Sequence, residues 1–195
     1  MAAPEDRIID TAINLDTLSE LPRTGWLLRG VRPCESIADH SLGVALVAMM
    51  LADAIRGEGQ PVDVERVLRM AVLHDTPEAR TGDVPMPSKT REVAEALDAL
   101  ETRIARELLP EDLFGYFREA EAGQSLEARI VRAADKIQMM IKVLVYENAN
   151  RGDLHEFWEN PKNFRHMDLP MARRVYEAIC ARAGRRAPWA EGLAP

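Results

Sequence analysis

Apolar residues recur at intervals of three and four along most of this sequence, the spacing that places side chains on one face of an α-helix. No run of alternating Val, Ile and aromatic residues indicates a strand. The pattern therefore predicts an all-α fold. Helices are predicted over residues 8–21, 36–59, 63–75, 87–109, 110–123, 125–152 and 168–184.

Residue types at the predicted helix ends support these boundaries. Ser36 is followed by Asp39 at the third position, the arrangement of a capping box at a helix N-terminus. Asp63 is a suitable N-cap for the next helix. Pro110 stops a long amphipathic stretch, and Gly123 is a common residue just beyond a helix C-terminus. These signals divide the chain into separate helices joined by short loops.

The size of the chain predicts one folded unit. It has 195 residues, of which 47% are hydrophobic, enough for one globular domain with a substantial core. We expect a single domain over residues 1–195, with its core at about 17–166 and a C-terminal helix at about 169–184. The last stretch, RRAPWAEGLAP, contains Pro and Gly, and we expect residues 185–195 to be a mobile tail.

Charge and cysteine content limit the classes of partner and location. A net charge of −7 without a long basic run disfavours a nucleic-acid polymer, whereas a small anionic ligand requires only a few local cations. The apolar run LGVALVAMMLADAI, about 14 residues long, is interpreted as a core helix and not a membrane span. The N-terminus lacks the features of a secretory signal, and Cys34 and Cys180 form no CxxC pair. We therefore expect a cytoplasmic protein with reduced thiols.

Two polar side chains interrupt apolar helix faces. His40 shares a face with Val44, Val47 and Leu51, and Asp135 shares one with Val131, Met139 and Val143. A core histidine held by one hydrogen bond would explain His40, and a buried salt bridge would explain Asp135. Ligation of a metal ion would explain both, because a carboxylate is costly to bury unless it is paired or bound to a cation.

A third helix ends in an adjacent histidine and aspartate, His74 and Asp75. Together with His40 and Asp135 they provide two imidazoles and two carboxylates from three helices. That combination suits one of the divalent transition metals Co, Mn, Ni, Zn or Fe(II), without selecting among them. The sequence therefore predicts a metal site whose ligands occur in the order H, HD, D.

The residues around these ligands resemble the HD superfamily of metal-dependent phosphohydrolases, and within it the 5′-deoxynucleotidase branch. The resemblance is carried by RTGWLLRGVRPCESIADHS, LHDTPEARTGDVPMP and RAADKIQMMIK, and it extends from about residue 17 to residue 166. It implies a helical bundle of the HD-domain type. It also implies a homodimeric enzyme that hydrolyses the 5′-phosphate of deoxyribonucleoside monophosphates, small-molecule substrates.

The resemblance assigns roles in and around the segment that contains the HD pair. Asp75 is implied as both a ligand and a catalytic residue, and Glu78 as the carboxylate that orients or deprotonates the attacking water. Pro77 favours a new helical turn that begins at Glu78. Asp83 is implied to contact the sugar and to disfavour a 2′-hydroxyl. Trp26 is implied to form an apolar wall beside the sugar.

Arginine is the expected residue for the phosphate, because a guanidinium fork matches a phosphate dianion. The best-known bacterial member of the branch has its phosphate-binding arginine directly before the tryptophan, where this chain has Gly25. The assignment therefore stays open. The candidates are Arg23, Arg29 and Arg32, with Lys89 and Lys136 as further basic residues that could equally be solvated or salt-bridged.

Members of the superfamily with two metals use extra histidines between the HD pair and the last aspartate. This chain has four histidines, none of them between Asp75 and Asp135, so a single metal is implied. His155 and His166 are interpreted as surface or packing residues. Two other functions remain open: an HD hydrolase of nucleoside di- or triphosphates or alarmones, and a non-catalytic HD binding module.

Overall fold

The structure, a computed structural model, describes residues 3–191 and is built from helices. Between these limits it contains no strand, and its one β-type contact is an isolated bridge between Pro22 and Ser36. The all-α prediction is therefore confirmed. The helices are α1 (Pro4–Asp16), α2 (Thr24–Leu27), α3 (Ile37–Gly57), α4 (Val64–Leu73), α5 (Glu78–Thr81), α6 (Arg91–Leu108), α7 (Glu111–Ala122), α8 (Leu126–Asn148), α9 (His155–Glu159) and α10 (Pro170–Arg182).

α3 and α8 pack against each other at the centre of the bundle, with α4 and α10 packed against both and α7 against α4 and α8. Their apolar faces form one large buried cluster, and a smaller cluster lies between α6, α7 and the segment around Leu18. Within the described residues, α3 is also the one helix long and apolar enough to cross a membrane, but here it is a core helix. The packing of α3 on α8 brings His40 and Asp135 together.

The start of α3 follows the predicted capping box. The Ser36 hydroxyl accepts a hydrogen bond from the Asp39 amide at 3.0 Å, and the Asp39 carboxylate accepts one from the Ser36 amide at 2.9 Å. Two amide groups that the helix leaves unpaired are satisfied in this way. The cap fixes where α3 begins, and thereby the position of His40 in its second turn.

Several boundaries differ from the sequence-based expectation. The first helix ends at Asp16, and a 3-10 turn at Thr17–Ser19 replaces the remainder of the predicted segment. α6 begins only at Arg91, where the Thr90 hydroxyl accepts a hydrogen bond from the Val93 amide at 3.3 Å. A 3-10 turn, Met86–Ser88, precedes it. The sequence before α6 is rich in proline, which explains why the helix does not extend to residue 87.

The C-terminal segment is packed on the core as far as the structure describes it. A 3-10 turn spans Pro188–Glu191, and the Trp189 ring lies 5.3 Å from Phe164 and 6.4 Å from Tyr176, centroid to centroid. Trp189, within the predicted mobile tail at 185–195, is therefore placed against apolar side chains. The last part of that prediction, residues 192–195, lies outside the described residues.

Candidate active site

A pocket of about 250 Å³ opens where the first turns of α3, the α4–α5 junction and the middle of α8 meet. α2 and the α9 segment contribute further walls. The pocket is lined by most of the polar residues predicted from the sequence, together with an apolar and amide-bearing segment that was not predicted. The lining includes Arg23, Trp26, Arg29, Glu35, His40, Asp75, Glu78, Asp83, Lys89, Asp135, Lys136, Glu156, Phe157, Asn160 and Asn163.

The structure brings the four predicted metal ligands together. One donor atom each from His40, His74 and Asp135 lie within 4.8 Å of one another. Asp75 Oδ2 lies 3.3 Å from His74 Nε2 and 3.5 Å from His40 Nε2, and Asp135 Oδ1 lies 3.4 Å from His40 Nε2. The two imidazoles and two carboxylates thus face a common point.

Both imidazoles are oriented as metal ligands require. His40 Nδ1 pairs with the Gln138 side-chain oxygen at 2.7 Å, and His74 Nδ1 pairs with the Ala71 carbonyl at 2.8 Å. Because these oxygens only accept hydrogen bonds, each ring carries its proton on Nδ1 and has a free lone pair on Nε2. Both Nε2 atoms are buried without a hydrogen-bond partner. A divalent transition metal would satisfy both, and this donor set suits it.

Arg23 connects the carboxylates of the site. Its Nη1 lies 3.2 Å from Asp75, 3.1 Å from Glu78 and 3.1 Å from Asp83. Burial acts to lower the pKa of Arg23, but these three carboxylates raise it above its ordinary value, so the cation is permanent. Lys136 forms a further ion pair, 3.0 Å from Asp135. The pocket lining still contains more carboxylates than cations, six against four. This excess negative charge favours a bound cation.

The two aspartates keep their charge despite burial. Burial acts to raise the pKa of Asp75, but the Arg23 guanidinium acts to lower it, and the pKa lies below the ordinary value. Burial likewise acts on Asp135, whose pKa is held well below the ordinary value by the Lys136 ammonium group. Ionised carboxylates are the form that binds a metal, so both groups are prepared for ligation.

Glu78 begins α5 directly after Pro77, as the sequence predicted. The side chain is buried, and burial together with the Asp75 carboxylate raises its pKa to about 10, whereas Arg23 acts to lower it. A cation held by the neighbouring ligands would act in the same direction as Arg23. Glu78 is therefore a group that can both release and take up a proton, depending on the charge of the site.

Trp26 is a wall of the pocket and is held on two sides by aromatic rings. Phe157 stacks on it with centroids 5.0 Å apart, and Tyr146 meets it edge-on at 5.3 Å. The indole N–H donates to Glu35 at 2.8 Å. Trp26 is buried, so the ring is fixed in position before any ligand arrives.

Asp83 lies in the pocket because the chain turns sharply after α5. Gly82 has φ +68°, a backbone conformation that favours glycine, and it ends the helix. The Asp83 carboxylate then contacts Arg23 and accepts a hydrogen bond from the Gly25 amide at 3.4 Å. Its position beside α2 places it near Trp26, the other residue assigned to the sugar.

Of the remaining arginine and histidine candidates, Arg29 lines the pocket, whereas Arg32, His155 and His166 do not. Arg29 lines the pocket, forms an ion pair with Glu156 and lies over the Phe157 ring at 5.1 Å. Arg32 is exposed, contacts the Leu27 carbonyl at 3.4 Å and is not part of the pocket. His155 and His166 are also absent from the pocket lining. His155 instead pairs with Glu159 at 3.0 Å on the surface.

Sequence reasoning missed two groups of residues, one behind the pocket and one in its wall. Glu35 and Gln138 are buried behind His40, although Glu35 lies within the quoted ESIADH motif. The other group comes from α9 and the turn that follows it, Pro161–Asn163. A five-residue helix is too short to give a periodic signal, and the only sequence hint was the aromatic cluster in FWENPKNF.

A helical bundle that brings two histidines and two aspartates together beside a buried glutamate has the arrangement of a metal-dependent hydrolase. The sequence family described as HD domain matches residues 15–169 of this chain. The chain therefore belongs to the HD-domain family, and the expectation from the motifs is confirmed.

Individual relatives agree with this assignment. The chain is similar to human 5′-deoxynucleotidase HDDC2, with 30% identity over 161 residues, 78% of this chain and 76% of the human protein. It is 32% identical over 157 residues to 5′-deoxynucleotidase hdd1 of Schizosaccharomyces pombe, covering 73% of this chain and 76% of that protein. The crystal structure of PH0347 from Pyrococcus horikoshii OT3 matches with a TM-score of 0.78 and 34% identity, over 90% of this chain and 98% of the other.

Proposed function

We propose that this protein is a metal-dependent phosphohydrolase that removes the 5′-phosphate from deoxyribonucleoside 5′-monophosphates. The observation that carries the proposal is the pair of unpaired imidazole nitrogens facing two carboxylates, next to Glu78. The substrate class comes from the relatives, because proteins named 5′-deoxynucleotidase match at 30% and 32% identity over about three quarters of their lengths.

One divalent ion is proposed at this site, held by His40, His74, Asp75 and Asp135. When bound, the ion supplies Lewis-acid chemistry that stabilises negative charge on the phosphoryl group and activates the attacking water. A single ion is proposed because the pocket lining contains no histidine beyond the predicted ligand set. Co, Mn, Ni, Zn and Fe(II) all remain candidates.

Glu78 is proposed to handle the proton of the reaction. Its carboxylate accepts a proton from the attacking water while the water oxygen bonds to phosphorus and the bond from phosphorus to the 5′-oxygen breaks. The proton then passes to the departing 5′-oxygen, and a nucleoside and inorganic phosphate leave. The contact of 3.1 Å with Arg23 holds the carboxylate in the pocket throughout.

Arg23 and Lys136 are proposed to face the phosphate, because both cations lie among the ligands at the floor of the pocket. Arg29 is the next candidate, at the pocket wall beside Phe157. The exposed Arg32 is not proposed for this role. The sugar is proposed to lie between Trp26 and Asp83. A 2′-hydroxyl group there is disfavoured because the Asp83 carboxylate crowds it and displaces the water that would hydrate it.

The decisive experiment is a substrate panel run with the protein loaded separately with Co²⁺, Mn²⁺, Ni²⁺, Zn²⁺ and Fe²⁺. Phosphate release from deoxyribonucleoside monophosphates, with slower hydrolysis of the matching ribonucleotides, is the expected result. Asp75→Ala should be inactive with every metal. Replacing Asp83 with Ala should raise the hydrolysis of AMP relative to dAMP, which tests sugar selection separately.

Two results would contradict the proposed activity. Release of pyrophosphate or tripolyphosphate from nucleoside triphosphates or alarmones, without monophosphatase activity, would identify a different HD hydrolase. Metal binding without hydrolysis of any phosphoester would identify a non-catalytic binding module. The panel separates the three functions because the two hydrolases release different products and a binding module releases none.

We also propose a homodimer in the cytoplasm. α3 exposes a stripe of apolar residues at intervals of four, Leu42 (63% exposed), Leu46 (48%) and Met50 (59%), and a second copy of the chain would cover it. Light scattering should give twice the chain mass for the wild type and a monomer for Leu46→Glu. Both cysteines are free, in agreement with a reducing compartment, and fractionation of cells that express the tagged protein tests the location.

A further inference from the structure

A continuous chain of buried hydrogen bonds connects the pocket wall to a metal ligand. The Trp26 indole donates to Glu35 at 2.8 Å, the Gln138 amide group donates to Glu35 at 2.9 Å, and the Gln138 oxygen pairs with His40 Nδ1 at 2.7 Å. Glu35, Gln138 and His40 are each 5% exposed or less. A buried polar chain is costly unless its polar atoms are paired, and here the one buried atom left unpaired is His40 Nε2, which faces the metal site.

The direction of every bond in this chain is fixed by Glu35. Its carboxylate accepts from two N–H donors and faces the Lys142 ammonium group at 3.4 Å. The Gln138 amide must therefore point its NH₂ group at Glu35 and its oxygen at His40. That oxygen can only accept, so the His40 proton lies on Nδ1 and the Nε2 lone pair faces the metal site.

A side chain accepts the Nδ1 proton of His40, whereas a backbone carbonyl accepts the Nδ1 proton of His74. His74 uses the carbonyl of Ala71 at the end of α4, where a helix leaves carbonyls unpaired. His40 instead faces the middle of α8, where each backbone carbonyl is already bonded within the helix. The Gln138 side chain, which projects from α8, accepts the His40 proton there.

Gly43 provides the space for Gln138. A Cβ atom at this position would lie 2.9 Å from both Cγ and Nε2 of Gln138, closer than such contacts occur. Glycine in the interior of a helix is unfavourable by about 0.5–1 kcal/mol relative to alanine. Gly43 therefore lowers the stability of α3 at the point where the absence of a side chain leaves room for Gln138.

We propose that Glu35 and Gln138 are positioning residues that fix the tautomer and orientation of His40, and thereby set the metal affinity of the site. This inference rests on the proposed metal site. The link to Trp26 further joins the wall of the substrate pocket to the same ligand. Partners of metal-ligating histidines commonly act in this way.

The test is a Co²⁺ titration followed by visible absorption, with affinities from competition against a chelator. Gln138→Leu keeps a similar volume but removes both amide atoms, and it should lower Co²⁺ affinity about 10–100-fold and alter the absorption spectrum. The double variant Glu35→Gln/Gln138→Glu exchanges the acid and the amide. In this variant the residue 35 amide donates to the residue 138 carboxylate, and that carboxylate accepts the His40 proton, so its affinity should exceed that of Gln138→Leu.

Gly43→Ala tests the same chain without altering any of its polar atoms. Alanine favours the helix, so the variant should fold, but its methyl group should displace Gln138 and lower Co²⁺ affinity. Tyr176→Phe is the matched control. Its hydroxyl donates to the Ala133 carbonyl of α8 at 3.4 Å, outside the chain of hydrogen bonds, and its affinity should equal that of the wild type.

The possible failures are distinguishable. Wild-type affinity in both Gln138→Leu and Gly43→Ala would overturn the positioning role and leave the metal site intact. Failure of the exchanged pair to bind better than Gln138→Leu would also overturn it. A wild-type protein that does not bind Co²⁺ would overturn the metal site, and the positioning role with it.

Discussion

Glu78 is a buried carboxylate between a permanent cation, Arg23, and an anion, Asp75, which act on its pKa in opposite directions. We expect Glu78→Gln, which keeps the shape but removes the basic oxygen, to lower kcat for dAMP about 10²–10⁴-fold. Co²⁺ affinity should stay near the wild-type value, because Glu78 is not in the ligand set. Steady-state kinetics and Co²⁺ titration measure the two effects.

The control for that variant is Glu107→Gln, which removes an exposed carboxylate paired with Arg80 and should leave both quantities unchanged. Undiminished turnover by Glu78→Gln would show that the proton of the attacking water goes elsewhere. A loss of Co²⁺ binding with the loss of turnover would mean that Glu78 belongs to the ligand set.

At the residue scale, the sequence predicted those site residues that interrupt a local pattern of apolar positions. His40 and Asp135 stood out because each interrupts an apolar helix face, and their approach follows from the packing of α3 on α8. Glu35 and Gln138 could not be paired, because they are 103 positions apart and either alone is unremarkable in sequence. Among the arginines, Arg32 could not be excluded, because loop geometry decides where a long side chain points.

At the scale of elements, long helices were predictable and short ones were not. Ser36 and Asp39 define the start of α3 by a cap that is visible in sequence. α9 has five residues and no periodicity, so the aromatic cluster around Phe157 gave no element and no role. Yet α9 and the turn after it form a wall of the pocket.

The wall formed by α9 should affect substrate binding more than chemistry. Phe157 lines the pocket and stacks on Trp26, and an aromatic contact of this kind contributes about 0.5–1.5 kcal/mol. We expect Phe157→Ala to raise KM for dAMP about two- to tenfold, with little change in kcat. His155→Ala, on the exposed side of the same helix, is the control and should match the wild type. A fall in kcat alone would contradict this role.

α6 carries a carboxyl group whose ionisation opposes folding. Burial raises the pKa of Glu101 to about 7 from an ordinary value of 4.5, while Lys89 acts to lower it. The folded protein therefore binds this proton more tightly than the unfolded chain, and stability decreases as pH rises from 4.5 to about 7. Glu101→Gln should melt at a higher temperature than the wild type at pH 8 and at a similar temperature at pH 4.

Thermal unfolding of the metal-free protein across that pH range measures the effect. Glu95→Gln, an exposed substitution on the same helix, should show no such pH-dependent gain. If the wild type and Glu101→Gln differ equally at pH 4 and pH 8, the burial of Glu101 is not the cause.

At the scale of the whole molecule, the proposed metal connects elements that are distant in the chain. The four ligands come from α3, the end of α4 and α8, the elements whose packing forms the main core. Without a cation, this junction contains two unpaired buried imidazole nitrogens and an excess of carboxylates. The same residues that suit a metal therefore weaken the metal-free fold, as functional sites commonly do.

Removing the metal should lower the stability of the entire bundle. A ligand that binds only the folded state at 100 to 1,000 times its Kd adds about 2.7–4.1 kcal/mol. For a chain of this size, that corresponds to a rise in Tm of roughly 5–15 °C. Thermal unfolding in the presence of a chelator, and again with saturating Co²⁺, should show this difference for the wild type and for Glu78→Gln. Asp135→Ala should lose most of this rise in Tm. A rise in that variant equal to that of the wild type would mean that the ion binds elsewhere.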